Sequence, residues 1–136
     1  MALISVDSPK GGVGKTTCAA NLAYGIRRLG YRVAVIDFDP QNALRLHFGV
    51  PLSESAGYVH SAVDRDDWRP LARTVGDGIQ LLAYGEVPRF ERQVFDRALE
   101  EPGFLNRPLA SLASTPGTVV IADLPPGDSS ALWAVS

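Results

Sequence analysis

Apolar residues fall into short runs along this chain, and each run is closed by turn-forming or charged residues. Some of the runs are apolar almost throughout and contain β-branched residues, which is typical of strands covered on both faces of a parallel sheet: ALISVD at 2–7, RVAVIDFD at 32–39 and TVVIAD at 118–123. A shorter run, GIQLLAYG at 78–85, predicts a further strand.

Helical periodicity is present in two of the segments between these strands. The first helix is predicted from Lys15 to Leu29 and ends before Gly30, with an apolar stripe made of Cys18, Leu22, Ile26 and Leu29. The second is predicted over 87–100 and ends near Pro102 and Gly103, with one face made of Phe90, Val94, Phe95 and Leu99. Residues 41–50 indicate a short helix and a turn, whereas residues 51–76 have no assignable pattern.

Strands and helices alternate, and the connections between strands are too long for hairpins. This order favours a parallel sheet with helices on its faces, built as a single domain over residues 1–136. Ligands bind such sheets at the carboxyl ends of the strands. The segments DSPKGGVGKTT, DFDPQ and DLPPG all occur where a predicted strand ends, so functional side chains are expected at that edge of the sheet.

Composition narrows the possible classes of function. The formal net charge of -2 gives no general attraction to nucleic acid, and direct nucleic-acid binding is not expected. The single cysteine, Cys18, excludes an intrachain disulfide and a cysteine-built metal cluster, and it favours a reducing, cytoplasmic location. No stretch reaches the ~20 apolar residues of a membrane helix, so no transmembrane segment is expected.

The stretch SPKGGVGKTT at 8–17 joins a predicted strand to a predicted helix. Its glycines lack a Cβ, so backbone N–H groups can approach an anion closely, and the helix N-terminus adds positive potential. Lys15 could neutralise phosphate oxygens, Thr16 could offer its hydroxyl to Mg²⁺, and Thr17 could bond the α-phosphate. The only two lysines of the chain, Lys10 and Lys15, both lie in this stretch. The alternative is a glycine-rich turn that serves packing alone.

Aspartates end the predicted strands: Asp37 and Asp39 end the second, and Asp123 ends the last. Because the carboxyl ends of parallel strands meet at one edge, these carboxylates are expected to lie beside the glycine-rich stretch. Mg²⁺ keeps several waters and needs few protein ligands, so Asp123 could act on it through a water, which leaves Asp39 to orient an attacking water. Taken singly, each aspartate could equally be a helix cap or a turn residue.

Together these motifs resemble those of the ParA/MinD ATPases. KGGVGKTT resembles their deviant Walker A motif, in which an extra lysine precedes the glycines, DFDPQ resembles switch I, and DLPPG resembles switch II with its Walker B-like aspartate. The resemblance implies an α/β, P-loop NTPase-like three-layer sandwich with a mostly parallel sheet, of which this chain holds the N-terminal part only. It also implies ATP and Mg²⁺ as cofactors, slow ATP hydrolysis and an ATP-dependent homodimer.

The resemblance also assigns roles to individual residues. The nucleotide-binding residues would be Lys10, Gly11, Gly12, Val13, Gly14, Lys15, Thr16 and Thr17. The catalytic residues would be Lys10, Lys15 and Asp39, with Lys10 reaching the phosphates held by a partner subunit and Asp39 positioning water. The metal would be held by Thr16, Asp37 and Asp123.

Two further segments are similar to the branch of this family that belongs to bacterial cellulose-secretion operons: NALRLHFGV at 42–50, and LLAYGEV followed by FERQVFDRALEEPGFL at 81–105. This similarity implies a localisation or assembly switch for cellulose biosynthesis and secretion. The protein would be cytoplasmic, would be recruited to the inner membrane or the cell pole, and would have components of the cellulose-secretion complex as partners. Two alternatives stay open, namely a chromosome or plasmid partitioning ATPase and a hydrolysis-deficient, C-terminally truncated binding module.

Overall fold

The computed structural model describes residues 1–7 and 14–136. Within these ranges the strands are β1 Ala2–Val6, β2 Arg32–Asp37, β3 Arg73–Thr74, β4 Gln80–Leu82 and β5 Thr118–Asp123. The α-helices are α1 Lys15–Arg28, α2 Val59–Ala62, α3 Arg89–Glu100, α4 Asn106–Leu112 and α5 Ser130–Val135. Shorter 3₁₀ helices cover Leu44–Phe48, Arg69–Leu71 and Gly76–Gly78.

The strands form one sheet in the order β1-β5-β2-β4-β3. β1 pairs with β5, β5 with β2 and β2 with β4 in parallel, whereas the short β3 is antiparallel to β4. The predicted α/β architecture with a mostly parallel sheet is therefore confirmed. In the register of the central strands, Asp123 lies opposite Val6 on one side and Asp37 on the other. The carboxyl ends of three strands thus lie side by side.

Helices cover both faces of the sheet, which gives the three layers that the motifs imply. On one face, α1 and the 3₁₀ helix Leu44–Phe48 pack on Val33, Val35 and Ile121. On the other face, Ala34 and Ile36 pack against an aromatic cluster formed by Phe38, Tyr58, Trp68, Tyr84 and Phe95. Successive residues of β2 therefore alternate between two apolar layers, which explains why the whole strand is apolar in sequence.

The first helix forms where it is predicted, but only half of its predicted apolar stripe packs on the core: Leu22 and Ile26 are partly buried against it. Cys18 is exposed, and Leu29 lies beyond the last helical residue with 77% of its surface exposed. The fully buried part of the face that packs on the sheet is made of small side chains: Ala19, Ala20 and Ala23. Alanines let the helix approach the sheet closely, so the tightest packing occurs where the hydropathy signal is weakest. Gly30 follows the helix with a φ of 99°, as a helix-ending glycine does.

The second predicted helix forms as α3, but only part of its predicted face is buried. Phe95 and Leu99 pack into the aromatic layer, whereas Phe90 is 74% exposed and Val94 is 37% exposed. Each buried residue follows its exposed counterpart by five positions, which is a rotation of about 140° around a helix. The prediction therefore combined two different faces of α3.

Short elements account for what the pattern of the sequence does not predict. Residues 51–76 contain α2, the 3₁₀ helix Arg69–Leu71 and β3, and each of these is too brief to produce a period. The pattern does not predict α4 either. The region is nevertheless anchored, because Tyr58, Val59, Ala62 and Trp68 are buried in the aromatic layer.

Candidate functional site

The candidate site lies where β2 and β5 end and α1 begins. Asp37 and Asp123 are the last residues of these neighbouring strands, and both are completely buried. The backbone N–H of Phe38 donates to the carbonyl of Asp123 at 2.8 Å, so the pairing of the strands continues one residue past β2. The pairing of the strands thus fixes the spacing of the two carboxylates in the absence of any ligand.

Lys15, the first residue of α1, forms an ion pair with Asp123 across the end of β5. The side chain of Lys15 is 6% exposed and that of Asp123 is 1% exposed, so this is a buried pair. Burial raises the pKa of the Asp123 carboxyl, and the hydrogen bond and charge of Lys15 act in the opposite direction. Each partner therefore compensates much of the cost of burying the other.

The residues around Lys15 have their predicted positions at the start of α1. Gly14 precedes the helix with a φ of 86°, a left-handed conformation that glycine adopts without strain. The Thr16 hydroxyl lies 3.4 Å from Oδ2 of Asp123, so both oxygens of this carboxylate face the first turn of α1. Thr17 is exposed at the same end of the helix.

Asp37 organises the backbone that follows β2. Its Oδ1 accepts the N–H of Asp39 at 2.9 Å, and its Oδ2 accepts the N–H of Leu44 at 3.3 Å. Burial raises the pKa of Asp37 to about 8, against the lowering effect of these two hydrogen bonds. Asp37 therefore acts as a turn residue here, which is the role that the sequence left open beside metal binding.

Asp39 is more exposed than Asp37 and accepts fewer backbone hydrogen bonds. One of its oxygens, Oδ1, accepts the N–H of Gln41 at 3.0 Å. Its charge is close enough to contribute to the raised pKa values of Asp37 and Asp123. The three aspartates are therefore electrostatically coupled at one edge of the sheet, as the sequence predicts.

Sequence reasoning missed two buried side chains that hold this edge together. The Tyr58 hydroxyl donates to the carbonyl of Asp37 at 2.9 Å, and burial together with the charge of Asp37 keeps the pKa of this phenol well above its usual value. Arg45 donates to the carbonyls of Asn42 at 3.0 Å and Glu54 at 2.7 Å. Tyr58 lies in the region without periodicity, and nothing in the sequence distinguishes Arg45 from the surface arginines.

Several predicted site residues lie outside the described part of the chain. These are Lys10, Gly11, Gly12 and Val13, and their roles in nucleotide binding stay predictions. The same holds for the trans-acting role of Lys10.

The donor set at the described edge suits Mg²⁺. Its oxygens come from the Thr16 hydroxyl and the Asp123 carboxylate, with the Asp37 carboxylate as their neighbour. Hard oxygen donors in small number are what this ion takes from proteins, because it retains several waters. Over residues 1–7 and 14–136, no group of three or more histidine, cysteine or acidic side chains has the arrangement of a protein-only metal site.

The sequence matches the family described as cellulose biosynthesis protein BcsQ over residues 1–134. The chain belongs to the BcsQ family. The resemblance to the cellulose-secretion branch of the ParA/MinD ATPases is therefore confirmed.

Two curated BcsQ proteins show the extent of the similarity. The BcsQ protein of Salmonella typhimurium strain LT2 is 33% identical over 130 residues, which cover 95% of this chain and 52% of the relative. The BcsQ protein of Escherichia coli strain K12 is 34% identical over 93 residues, which cover 68% of this chain and 37% of the relative. The chain thus spans about half the length of the Salmonella typhimurium relative.

Solved structures agree with the fold. Cobyrinic acid a,c-diamide synthase from Mycobacterium smegmatis, crystallised with an ATP analogue and magnesium, has a TM-score of 0.79 and 26% identity over 98% of this chain and 55% of its own. A ParA family ATPase from Chlorobium tepidum has a TM-score of 0.71 and 22% identity over 98% of this chain and 56% of its own.

In the described part of this BcsQ family chain, none of the helices has the length and apolar character that crossing a bilayer requires.

Proposed function

We propose that this BcsQ family protein binds Mg-ATP at the carboxyl edge of its sheet and hydrolyses it slowly. The observation that carries the proposal is the buried ion pair between Lys15 and Asp123, with the Thr16 hydroxyl beside it. A lysine at the start of a helix, next to a hydroxyl and a strand-end carboxylate, is the arrangement by which P-loop NTPases hold phosphates and Mg²⁺.

The ion pair supports a simple exchange of partners on nucleotide binding. The Lys15 ammonium would leave Asp123 for the phosphate oxygens, so it would keep an anionic partner throughout. Asp123 would then be free to face a metal through a water. An exchange of this kind avoids the cost of leaving a buried charge unpaired, which is several kcal/mol.

The positions of the remaining side chains support separate roles in metal binding and in the orientation of water. Thr16, Asp37 and Asp123 would hold Mg²⁺, which when bound neutralises charge on the phosphate oxygens. Asp37 would have to release its proton to bind the cation, and the nearby positive charge favours that release. Asp39 has one oxygen that accepts no hydrogen bond from the described residues and is less buried than Asp37, so it suits the orientation of an attacking water. Its partner Gln41 would hold the carboxylate in place.

We further propose that ATP drives homodimerisation through Lys10 and that the dimer acts as a switch in cellulose biosynthesis and secretion. Membership of the BcsQ family supports the assignment to cellulose biosynthesis. The switch would engage components of the secretion complex at the inner membrane. The family match favours this role over chromosome or plasmid partitioning.

Equilibrium binding of a fluorescent ATP analogue with Mg²⁺ tests the proposed site. Replacement of Lys15 by alanine should weaken binding by roughly 100-fold, because a charge-assisted contact to phosphate is lost. Arg28→Ala is the matched control, since it removes an exposed basic side chain from the last turn of the same helix. Circular dichroism of both variants establishes that they are folded.

Unchanged affinity in folded Lys15→Ala would contradict the proposed site. Phosphate release distinguishes the remaining alternative, a binding module without hydrolysis. Release above that of buffer, lost in Asp39→Ala while nucleotide binding persists, supports the ATPase. Release equal to buffer in the unaltered protein, with nucleotide binding retained, supports the module.

A further inference from the structure

A cavity lies at the opposite edge of the sheet from the candidate nucleotide site. It has a volume of about 260 Å³ and opens where β2, β4 and β5 begin, with Arg32 and Thr118 facing each other across the first register position of β2 and β5. The strands separate it from Asp37 and Asp123 by five residue steps, or roughly 17 Å. Nothing in the proposed ATPase uses this cavity.

The walls of the cavity carry three arginines and, within the described residues, no acidic side chain: Arg27, Arg32 and Arg69. The guanidinium of Arg27 is fixed by the carbonyls of Asp77 at 2.8 Å and Tyr31 at 3.3 Å. Arg69 is fixed by a bidentate pair with Asp67, with distances of 2.9 and 2.8 Å. Two of the three cations are therefore held in place, and one of them is neutralised by an acid.

The guanidinium of Arg32 forms no hydrogen bond and no ion pair with any other residue of the described chain, whereas its backbone N–H donates to the carbonyl of Gly117 at 2.9 Å. It lies at the first position of β2, so the sheet fixes its backbone. A cation without an acidic partner beside two oriented guanidinium groups makes the mouth of the cavity positive and able to donate several hydrogen bonds.

The rest of the lining indicates the kind of anion. Ser114 and Thr115 add hydroxyl groups at the rim, and Nη1 of Arg69 lies 3.4 Å from the Ser114 oxygen. The floor is apolar and includes Ala34 and Leu112. A tetrahedral phosphoryl group has enough oxygens for several guanidinium and hydroxyl donors, whereas an apolar substituent on it would fill the floor.

We infer that this cavity binds a small soluble organic phosphate, with the phosphoryl group between Arg27, Arg32 and Arg69 and the organic part on the apolar floor. The site is separate from the proposed nucleotide site and carries its own ligand. It can therefore be occupied whether or not the protein binds ATP.

Amide-resolved NMR titration with phenyl phosphate and with inorganic phosphate tests the inference, because it reports each site separately. Phosphate at the nucleotide site shifts the amides of residues 14–17, whereas phosphate in the cavity shifts those of Arg32 and of the non-proline residues in 114–118. Phenyl phosphate should bind the cavity about tenfold more tightly than inorganic phosphate, because its ring covers the apolar floor. Sodium chloride at equal ionic strength controls for general screening.

Arg32→Gln should weaken the cavity response by about tenfold and leave the response of residues 14–17 unchanged. Arg97→Gln, which removes an exposed arginine from α3, is the matched control and should change neither. Shifts at residues 114–118 that are absent, or equal in chloride, or indifferent to Arg32→Gln, would overturn the inference. Arg32-dependent binding to phosphatidylglycerol vesicles without a phenyl phosphate response would overturn it as well, in favour of a membrane surface.

Discussion

Asp37 is a carboxylate that the fold buries before any ligand binds, and its protonation couples the candidate site to stability. Its folded-state pKa of about 8 lies far above the value of ~3.9 for an exposed aspartate. Between these two values the folded state holds a proton that the unfolded state has released. The contribution of Asp37 to the free energy of unfolding is therefore complete below about pH 4 and is lost as the pH rises through about 8.

The free energy of unfolding of the ligand-free protein should therefore fall between pH 5 and pH 8, with a slope of up to about 1.4 kcal/mol per pH unit. Asp123, whose pKa is also raised, contributes with the same sign. Urea unfolding at a series of pH values measures this slope. Asp37→Asn cannot titrate and should flatten it, and a stability that rises over this range in the unaltered protein would contradict the assignment.

Tyr58 holds the same strand end in place through the hydrogen bond that its hydroxyl donates to the Asp37 carbonyl. Tyr58→Phe keeps the ring in the aromatic layer but leaves this buried carbonyl without its donor, so the protein should lose about 1 kcal/mol of stability. Tyr31→Phe is the control, because Tyr31 is 48% exposed and its change should have no effect. Equal stabilities of the two variants in chemical denaturation would show that the hydrogen bond contributes nothing.

At the scale of elements, two chain segments cross so closely that only glycine fits. A Cβ added at Gly57 would lie 2.3 Å from the backbone nitrogen of Gly85, and hydrogen bonds join the segments on both sides, from Tyr58 to Ala83 and from Glu86 to Ser55. This crossing ties the region after the Leu44–Phe48 helix to the end of β4. It therefore fixes the position of Tyr58 beneath the candidate site.

Gly57→Ala should destabilise the protein by about 3 kcal/mol, because the backbone of Gly85 cannot give way as a flexible side chain would. Gly25→Ala is the matched control. Gly25 lies in α1 with open space around its Cα, so alanine there should stabilise the protein by ~0.5–1 kcal/mol through helix propensity. Thermal unfolding of both variants measures the contrast, and a tolerated Gly57→Ala would show that the crossing is looser than described.

The same elements explain what the sequence could and could not predict. The four parallel strands were predictable because apolar runs produce a local signal, and so were the aspartates that end β2 and β5. The buried face of α1 was not, since Ala19, Ala20 and Ala23 carry little hydropathy. The roles of Tyr58 and Arg45 depend on contacts distant in sequence, so no local pattern contains them. The arginine-lined cavity likewise assembles residues from five separate segments.

At the scale of the whole molecule, the pairing of β1 bears on how copies associate. Among the described residues β1 pairs only with β5, and Ile4 within it is 36% exposed. A strand that is paired on one side only can pair with another chain without any nucleotide. Association through β1 and association through ATP are therefore distinct outcomes, and only the second involves Lys10 as a trans-acting residue.

Light scattering after size exclusion tests the central claim of an ATP-driven switch most directly. The protein and its Lys10→Ala variant are each compared without nucleotide, with Mg-ADP and with a slowly hydrolysed ATP analogue, and Arg28→Ala serves as the charge-matched control. We expect a dimer only with the ATP analogue, in the unaltered protein and in Arg28→Ala but not in Lys10→Ala. A dimer that forms equally without nucleotide, or that persists in Lys10→Ala, would contradict the proposed switch.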